Sequence, residues 1–311
     1  MPKILNYGSL NIDYVYAVDH FVMPGETLAA KSRNIFAGGK GLNQSVALAR
    51  AGGEVYHAGA VGAEDSKVLL QEISSNGIHD DFLAKRDMPS GHTIIQVDKN
   101  GQNCILLYGG ANQSLTVEEI NNTLSHFSAG DYLILQNEVN NIGHIIREGA
   151  KRGLKVCFNV SPFTLQLLDL PLDLCAFLIV NEIEGSAMVN MSADSDPYAI
   201  MQALSDKYPQ TSFVLTLGSR GSILKEAGQE MISCRSYKVQ AVDTTAAGDT
   251  FLGFLIASLA RGLEGSRALN TATAASALAV QRAGACPSIP QLNEVEDFLA
   301  HSNVTVLTDK L

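Results

Sequence analysis

The segment DTTAAGDTF, residues 243–251, places a carboxylate where a helix begins. The apolar residues from 251 onward recur three and four positions apart, which predicts a helix that starts near Asp249. Ala246, Ala247 and Gly248 carry almost no side chain, so their backbone N–H groups can approach an anion while the helix dipole favours negative charge. The segment therefore predicts a phosphate-binding turn with Asp249 as a base inside it.

Asp249 also has a plainer interpretation, because aspartate commonly caps helices. Two further segments favour chemistry. Residues 38–47, GGKGLNQSVA, form a second glycine-rich turn that runs into a helix. Residues 8–13, GSLNID, end the first apolar strand, where Asn11 and Asp13 share one face by the two-residue period of a strand. Three such turns in one chain indicate a ligand site rather than an isolated cap.

The three segments occur in a fixed order with other short motifs along nearly the whole chain. These are GAN at 110–112, QNE at 136–138, NEIE at 181–184, TLGSRG at 216–221 and RAGACPS at 282–288. The ordered set resembles the ribokinase family of PfkB-type carbohydrate kinases. That resemblance implies transfer of the γ-phosphoryl group of ATP to a sugar hydroxyl, with the 5-hydroxyl of D-ribose as the expected acceptor. Another furanose, a ketose or a nucleoside is the alternative acceptor.

Site residues follow from the resemblance, position by position. Asp249 is the expected catalytic base, and the N–H groups of Ala246, Ala247 and Gly248 form the expected anion hole. The expected substrate-binding residues are Asn11, Asp13, Gly39, Lys40, Asn43, Glu138 and Asp249. A polyol presents several donors and acceptors, which carboxylate and amide side chains can pair with. Each of these polar residues also has an ordinary role as a turn former, helix-start residue or surface acid.

The remaining implied sites concern ATP, Mg²⁺ and a monovalent cation such as K⁺. The expected nucleotide-binding residues are Asn181, Glu184, Thr216, Gly218 and Gly221, and the acid of the NxxE motif is expected to organise Mg²⁺ from one face of a helix. The expected monovalent-cation positions are Asp243, Thr245, Ala279, Arg282, Gly284 and Ser288, mostly through backbone oxygens, which suit a hard cation.

Composition excludes several other classes of protein. The net charge is -10, with 22 Lys and Arg against 32 Asp and Glu, and clusters of basic residues are missing, which argues against a nucleic-acid partner. The sequence contains no apolar run long enough to span a membrane and no signal-peptide pattern at its start, so a cytoplasmic protein is expected. The five cysteines are widely spaced, which predicts buried thiols rather than disulfides or a metal site.

Strand-like and helix-like segments alternate along the chain. They predict a doubly wound, mostly parallel sheet flanked by helices in one α/β domain over residues 1–311. Predicted strands cover residues 4–8, 55–61, 132–136, 156–159, 177–180 and 213–216. Predicted helices cover residues 42–50, 67–75, 117–124, 142–152, 182–189, 198–207, 250–261, 266–282 and 291–300.

Two inserted segments, about 14–36 and 91–109, break this alternation with strand-like patterns. Asn100-Gly101 between two of the strands is typical of a type I′ hairpin. These strands predict a small sheet, and the resemblance implies that it is a lid over the sugar and the contact of a homodimer. An edge extension of the main sheet is the alternative.

Two other classes of function fit the sequence less well than a kinase does. A nicotinamide dehydrogenase would need GxGxxG directly after the first strand, and residues 8–13 do not have it. A sensor that binds sugar or nucleotide without turning it over would have no need of the base, so the presence of Asp249 favours an enzyme.

Overall fold

Buried strands and amphipathic helices alternate in the computed structural model, which describes residues 1–302 and the backbone of residues 307–308. The other residues of the predicted 1–311 domain lie outside this description. The strands are β1 Ile4–Tyr7, β2 Asn11–Ala17, β3 Ser32–Gly38, β4 Val55–Gly62, β5 His79–Arg86, β6 Gly91–Val97, β7 Asn103–Tyr108, β8 Tyr132–Gln136, β9 Lys155–Asn159, β10 Phe177–Asn181, β11 Ser212–Thr216, β12 Ser222–Lys225, β13 Met231–Cys234 and β14 Leu307–Thr308. The helices are α1 Lys40–Arg50, α2 Lys67–Ser75, α3 Val117–Leu124, α4 Ile142–Lys151, α5 Glu182–Met188, α6 Pro197–Lys207, α7 Ala247–Ala260, α8 Gly265–Ala279 and α9 Leu292–His301.

Among the described residues the main sheet has ten strands in the order β14-β13-β12-β11-β10-β9-β8-β1-β4-β5. The pairs from β11 through β1 to β5 are parallel, whereas β11 to β14 pair antiparallel. The predicted doubly wound, mostly parallel sheet is therefore confirmed. The strand order reverses at β1, which lies between β4 and β8. Ligands of open α/β sheets bind at the carboxyl ends of strands beside such a reversal.

The two-residue period of the strands divides the core between the two faces of this sheet. In β8, Tyr132 and Ile134 face one cluster, with α1, α2, α7, α8 and α9, while Leu133 and Leu135 face the other, with α3 to α6. Apolar side chains on both faces explain why the central strands are continuous hydrophobic runs. The central strands were predicted for the same reason.

Sequence patterns missed β5, β12 and β13. The edge strand β5 carries mostly exposed or half-buried side chains, and β12 and β13 are only four residues long. Short or solvated strands lack the apolar run that identifies a buried strand.

The small sheet consists of β2, β3, β6 and β7, in the order β3-β2-β6-β7. It is separate from the main sheet, so an edge extension is wrong. Only Gly101 of the predicted Asn100-Gly101 turn has a left-handed φ, 77°. The Asp98 N–H bonds to Gln102 O and the Gly101 N–H bonds to Asp98 O. This geometry fits a three-residue hairpin loop rather than the type I′ turn that was expected.

Candidate active site

The candidate site begins where β1 and β8 end, at the reversal of strand order. After β1 the chain passes through Ser9 and enters the small sheet at Asn11, so Asn11 and Asp13 belong to β2 rather than to the first strand as predicted. After β8, Glu138 lies close enough for its Oε2 to accept hydrogen bonds from the Ser9 hydroxyl and from Lys40 N, the latter at 3.1 Å. Burial raises the pKa of Glu138, although the Ser9 hydrogen bond and the Lys40 charge lower it in part.

Helix α1 starts next to the Glu138 carboxylate. Its N-cap is Gly39, whose φ of 94° lies in the left-handed region that favours glycine. The helix starts at Lys40, two residues before the predicted start at 42, so Asn43 and Gln44 lie in its first turns with their side chains buried.

Asp249 lies in the first turn of α7, which starts at Ala247, two residues earlier than expected. The turn before the helix is made by Ala246 in the left-handed region, with a φ of 59°. The Asp249 side chain is 7% exposed. Its Oδ2 accepts a hydrogen bond from Asn43 Nδ2 at 3.1 Å, and its Oδ1 accepts one from Gln44 Nε2 at 2.9 Å. The carboxylate therefore faces α1 rather than capping its own helix by a side-chain hydrogen bond.

Asn11 and Asp13 point from the same face of β2, as predicted. Asn11 Oδ1 accepts from Asn112 Nδ2 at 2.8 Å, and Asp13 Oδ1 accepts from Thr93 Oγ1 at 2.5 Å. Burial raises the pKa of Asp13, and the Thr93 hydrogen bond offsets part of that effect. Gly38 makes room for Asp13, since a Cβ at residue 38 would lie 2.0 Å from Asp13 Oδ2.

A cavity of about 880 Å³ lies against the N-terminus of α7, and the side chains that surround the Asp249 carboxylate do not line it. Ala247 and Gly248 form part of its wall, and Thr216, Gly218 and Gly221 form another part. Its volume is in the range that holds a nucleotide-sized ligand. The helix start thus separates this cavity from the polar residues around Asp249.

Asn181 and Glu184 occupy different positions from those expected. They do not share a helix face, because Asn181 is the N-cap of α5 and lies outside the helix. The Glu184 N–H donates to Asn181 Oδ1 and the Asn181 N–H donates to Glu184 Oε2, both at 2.9 Å. This reciprocal pair is a capping box. Asn181 is nevertheless paired in register with Thr216 of β11, one strand over.

Three of the expected cation-binding positions, Asp243, Thr245 and Gly284, come together through the Asp243 carboxylate. Its Oδ1 accepts from Thr245 N at 2.9 Å and its Oδ2 accepts from Gly284 N at 2.9 Å. Partial burial favours a higher pKa for Asp243, but these hydrogen bonds hold it below its usual value. The side chain of Arg282 turns away to Glu294, with Nη2 2.5 Å from Oε1, so that position could serve a cation only through its backbone.

Several site residues had no role predicted from the sequence, although Gln44 and Asn112 lie within the motifs described above. Thr93 and Asn112 hold Asp13 and Asn11, and Gln44 holds Asp249. The sequence feature that could have identified them is a polar residue at a position where the hydrophobic pattern predicts a buried side chain. The apolar cavity wall includes Tyr237, Val239, Phe251, Ala277 and Val280.

Cys104 is exposed on β7, so the prediction of a buried thiol is wrong there, while the other four cysteines are buried.

Within residues 1–302 and 307–308, no cluster of three or more His, Cys, Asp or Glu side chains could hold a metal ion by itself. A metal at this site would need phosphate, water or backbone oxygens as additional ligands. No helix in the described part of the chain has the length and hydrophobicity to cross a bilayer.

Known proteins resemble this chain over almost all of its length. It is 32% identical to the ribokinase of Haemophilus influenzae over 302 residues, covering 95% of this chain and 97% of that protein. It is 33% identical to the ribokinase of Schizosaccharomyces pombe over 310 residues, with 95% and 97% covered.

Solved structures show the same similarity. The ribokinase of Thermotoga maritima superposes with a TM-score of 0.85 at 35% identity, covering 97% of this chain and 100% of that one. The Arabidopsis thaliana ribokinase complexed with ribose and ATP superposes with a TM-score of 0.85 at 29% identity, covering 97% and 99%. The family pattern described as pfkB family carbohydrate kinase matches residues 1–292. The chain belongs to the pfkB family of carbohydrate kinases.

Proposed function

We propose that this protein is an ATP-dependent ribokinase that phosphorylates the 5-hydroxyl of D-ribose. The observation that carries the proposal is the position of Asp249. Its buried carboxylate accepts hydrogen bonds from Asn43 and Gln44 of α1 and acts electrostatically on Glu138 after β8, while the N-terminus of the same helix forms part of the wall of the 880 Å³ cavity. One short turn thus connects an acceptor pocket to a nucleotide-sized cavity.

The sugar binds at the polar side of this turn. Asn11, Asp13 and Glu138 supply amide and carboxylate groups for the sugar hydroxyls, and each is oriented by a neighbouring hydrogen bond. Gly39 and Asn43 complete the pocket from the start of α1. A pocket of fixed polar groups discriminates against sugars that lack a hydroxyl, because its buried groups would then be left unpaired.

ATP binds in the cavity, with its phosphates at the N-terminus of α7. The N–H groups of Ala246, Ala247 and Gly248 stabilise the transferred phosphoryl oxygens, and the helix dipole adds to that stabilisation. Asp249 accepts the proton of the attacking hydroxyl as the bond to phosphorus forms. Lys40, at the start of α1, contributes positive charge towards the phosphates. Thr216, Gly218 and Gly221 hold the nucleotide from the opposite wall.

Mg²⁺ supplies neutralising charge on the ATP phosphates when it is bound. Asn181 ends β10, next to the strand that ends in Thr216, Glu184 lies in the first turn of α5, and both would reach Mg²⁺ through water. K⁺ is proposed beside the anion hole, held by Asp243, Thr245, Ala279, Arg282, Gly284 and Ser288, largely through backbone oxygens. The hydrogen bond between Asp243 and Gly284 supports this assignment because it joins the two segments that contribute ligands.

The small sheet acts as a lid over the sugar and as the contact of a homodimer. Its edge strand β7 exposes a row of apolar side chains, Ile105, Leu106, Leu107 and Tyr108, each at least half exposed. An exposed apolar edge strand is a surface that another chain can cover. A second copy of this chain is the proposed partner.

A coupled ADP-release assay tests the function directly. We expect D-ribose to give the highest kcat/KM in a panel that also contains 2-deoxy-D-ribose, D-fructose and adenosine. The panel includes the deoxy sugar because a deoxyribokinase of Salmonella typhimurium is 29% identical over 300 residues. A preference for another acceptor by about tenfold, or 1.4 kcal/mol, would overturn the ribose assignment.

A further inference from the structure

Four neighbouring strands of the main sheet present polar side chains on the same face, the one that α1 covers. They are Asn6 of β1, His57 of β4, Gln136 of β8 and Asn159 of β9. Their strand neighbours two residues earlier, such as Ile4 and Ile134, belong to the apolar core of that face. Asn6, His57 and Gln136 are fully buried, so each needs a hydrogen-bond partner inside the protein.

These side chains connect through α1 to Asp249. Gln44 Nε2 donates to Asp249 Oδ1 at 2.9 Å and also lies 3.2 Å from Asn159 Oδ1. Gln44 Oε1 accepts from Gln136 Nε2 at 2.7 Å. Gln136 Nε2 also donates to Asn6 Oδ1 at 2.9 Å. The carboxylate is thus linked to the middle of the main sheet by consecutive side-chain amides.

The orientation of every amide in this series is dictated by acceptors at its two ends. The Asp249 carboxylate only accepts, so Gln44 must turn its NH₂ towards it and its carbonyl towards Gln136. At the other end Gly41 O also only accepts, at 2.7 Å from Asn6 Nδ2, so Asn6 must turn its carbonyl towards Gln136. Gln136 therefore has to place its NH₂ between two carbonyl oxygens.

Gln136 adopts this orientation although the other half of its amide gains nothing. Its Oε1 is buried and has no hydrogen-bond partner in the described structure. Leaving a buried acceptor unpaired costs about 1–3 kcal/mol. A flipped amide would instead point Oε1 at the carbonyl oxygens of Asn6 and Gln44. Gln136 therefore holds the carbonyl of Gln44 with its NH₂ group, while its own carbonyl stays without a partner.

The far end of the series is fixed by a neutral histidine. Asn6 Nδ2 donates to Ser45 Oγ at 2.8 Å, so the Ser45 hydroxyl proton points to His57 Nδ1 at 2.7 Å. His57 then carries its proton on Nε2 and donates to Gly8 O at 3.2 Å. Burial lowers the pKa of His57 to about 4, which keeps this arrangement unchanged at neutral pH.

We propose that Gln44 is a positioning residue for the phosphoryl-transfer reaction, and that Gln136 acts through Gln44 to fix the Asp249 carboxylate. This inference rests on the role of Asp249 in the proposed function. Asn43 and Gln44 each occupy one site on one oxygen of the carboxylate, which fixes its plane and leaves lone pairs free for the attacking hydroxyl. A base held in one orientation avoids reorganisation at the moment of reaction.

Kinetics of two single variants and their double variant test the proposal. Gln44→Met keeps most of the side-chain volume and removes the donor to Asp249. We expect kcat with D-ribose to fall about tenfold or more, with KM for ribose and ATP within about threefold, as for an interaction made in the transition state. Gln136→Met is also expected to lower kcat, and the double variant is expected to resemble Gln44→Met, because coupled residues are non-additive.

A matched control removes a side-chain amide elsewhere. Asn121→Leu breaks the 2.9 Å hydrogen bond between His144 and Asn121, which joins α4 and α3, and is expected to lower the melting temperature without changing kcat. If Gln44→Met does not fold, Gln44→Asn keeps the amide but is too short to reach both partners, and the same fall in kcat is expected.

Each result decides between the hypotheses. Unchanged kcat in folded Gln44 variants would overturn the positioning role of Gln44, and additive losses in the double variant would overturn the claim that Gln136 acts through Gln44. The proposed function fails separately, if the wild-type protein does not phosphorylate ribose or if Asp249→Asn keeps its turnover.

Discussion

Gly38→Ala is expected to weaken sugar use although it replaces none of the residues that are proposed to contact the sugar. The new methyl carbon would lie 2.0 Å from Asp13 Oδ2 and 2.8 Å from Asp13 Cγ, far inside van der Waals contact. Asp13 cannot simply rotate in place, because Thr93 Oγ1 holds its other oxygen at 2.5 Å. The carboxylate therefore has to leave the position from which it is proposed to bind the sugar.

The size of the effect follows from the hydrogen bond that is lost. A hydrogen bond to a charged group contributes about 1.5–3 kcal/mol, which corresponds to a decrease of about 10- to 150-fold in kcat/KM for ribose. KM for ATP should not change, because the 880 Å³ cavity does not include Asp13. Steady-state ADP release at varied ribose and ATP measures both constants.

Gly149→Ala is the matched control. Its methyl would lie 2.4 Å from Leu133 Cδ2 in the core between α4 and β8. Overpacking there should lower the melting temperature and leave the ribose KM unchanged. A Gly38→Ala enzyme with the wild-type kcat/KM for ribose would refute the role of Asp13 in sugar binding.

Three further predictions concern the cation, the lid and the dimer. Replacing K⁺ by tetramethylammonium at constant ionic strength should lower kcat, because a bulky cation would not fit the proposed site of backbone oxygens near Asp243 and Gly284; equal rates would remove the cation from the mechanism. Ribose should slow amide exchange in residues 91–109, as expected for a sheet that closes over its substrate, and equal exchange with and without ribose would indicate a static sheet. Leu106→Lys places a charge on a side chain that is 67% exposed on β7 and should shift sedimentation from dimer to monomer; a wild-type monomer would contradict the proposed contact.

Local sequence patterns predicted the parts of the fold that are buried on both sides. The strand ending in Gln136 and the helix after Gly39 follow from apolar runs and glycine-rich turns, and both are present. Strand β5 was missed because solvent covers most of its side chains. The ordered motifs and the family resemblance that they carry identified Asp249, Asn11 and Glu138 as candidates, whereas the contacts of these side chains depend on residues distant in sequence.

The contacts around Asp249 illustrate that limit. Asn43 and Gln44 are more than 200 residues away from it along the chain, and only the packing of α1 against α7 brings them together. The prediction for Asn181 and Glu184 failed for a local reason, because a three-residue spacing fits both a shared helix face and a capping box. The side-chain hydrogen bonds decide for the capping box.

Asp249→Asn tests the central claim most directly. The substitution also changes the hydrogen bonds that stabilise this part of the fold. Asn43 and Gln44 both donate to the carboxylate, so an amide at 249 meets one of them donor to donor. A modest loss of stability, of about 1–3 kcal/mol, is therefore expected along with the loss of the base.

The measurement is kcat for D-ribose and ATP in the purified variant, with ribose and ADP binding measured by calorimetry on the same sample. We predict that kcat falls about 100-fold or more, as for the loss of a general base, while a folded variant still binds both ligands. A variant that binds both ligands and keeps kcat within about threefold of wild type, well short of the loss expected for a general base, would contradict the assignment of Asp249 as the catalytic base.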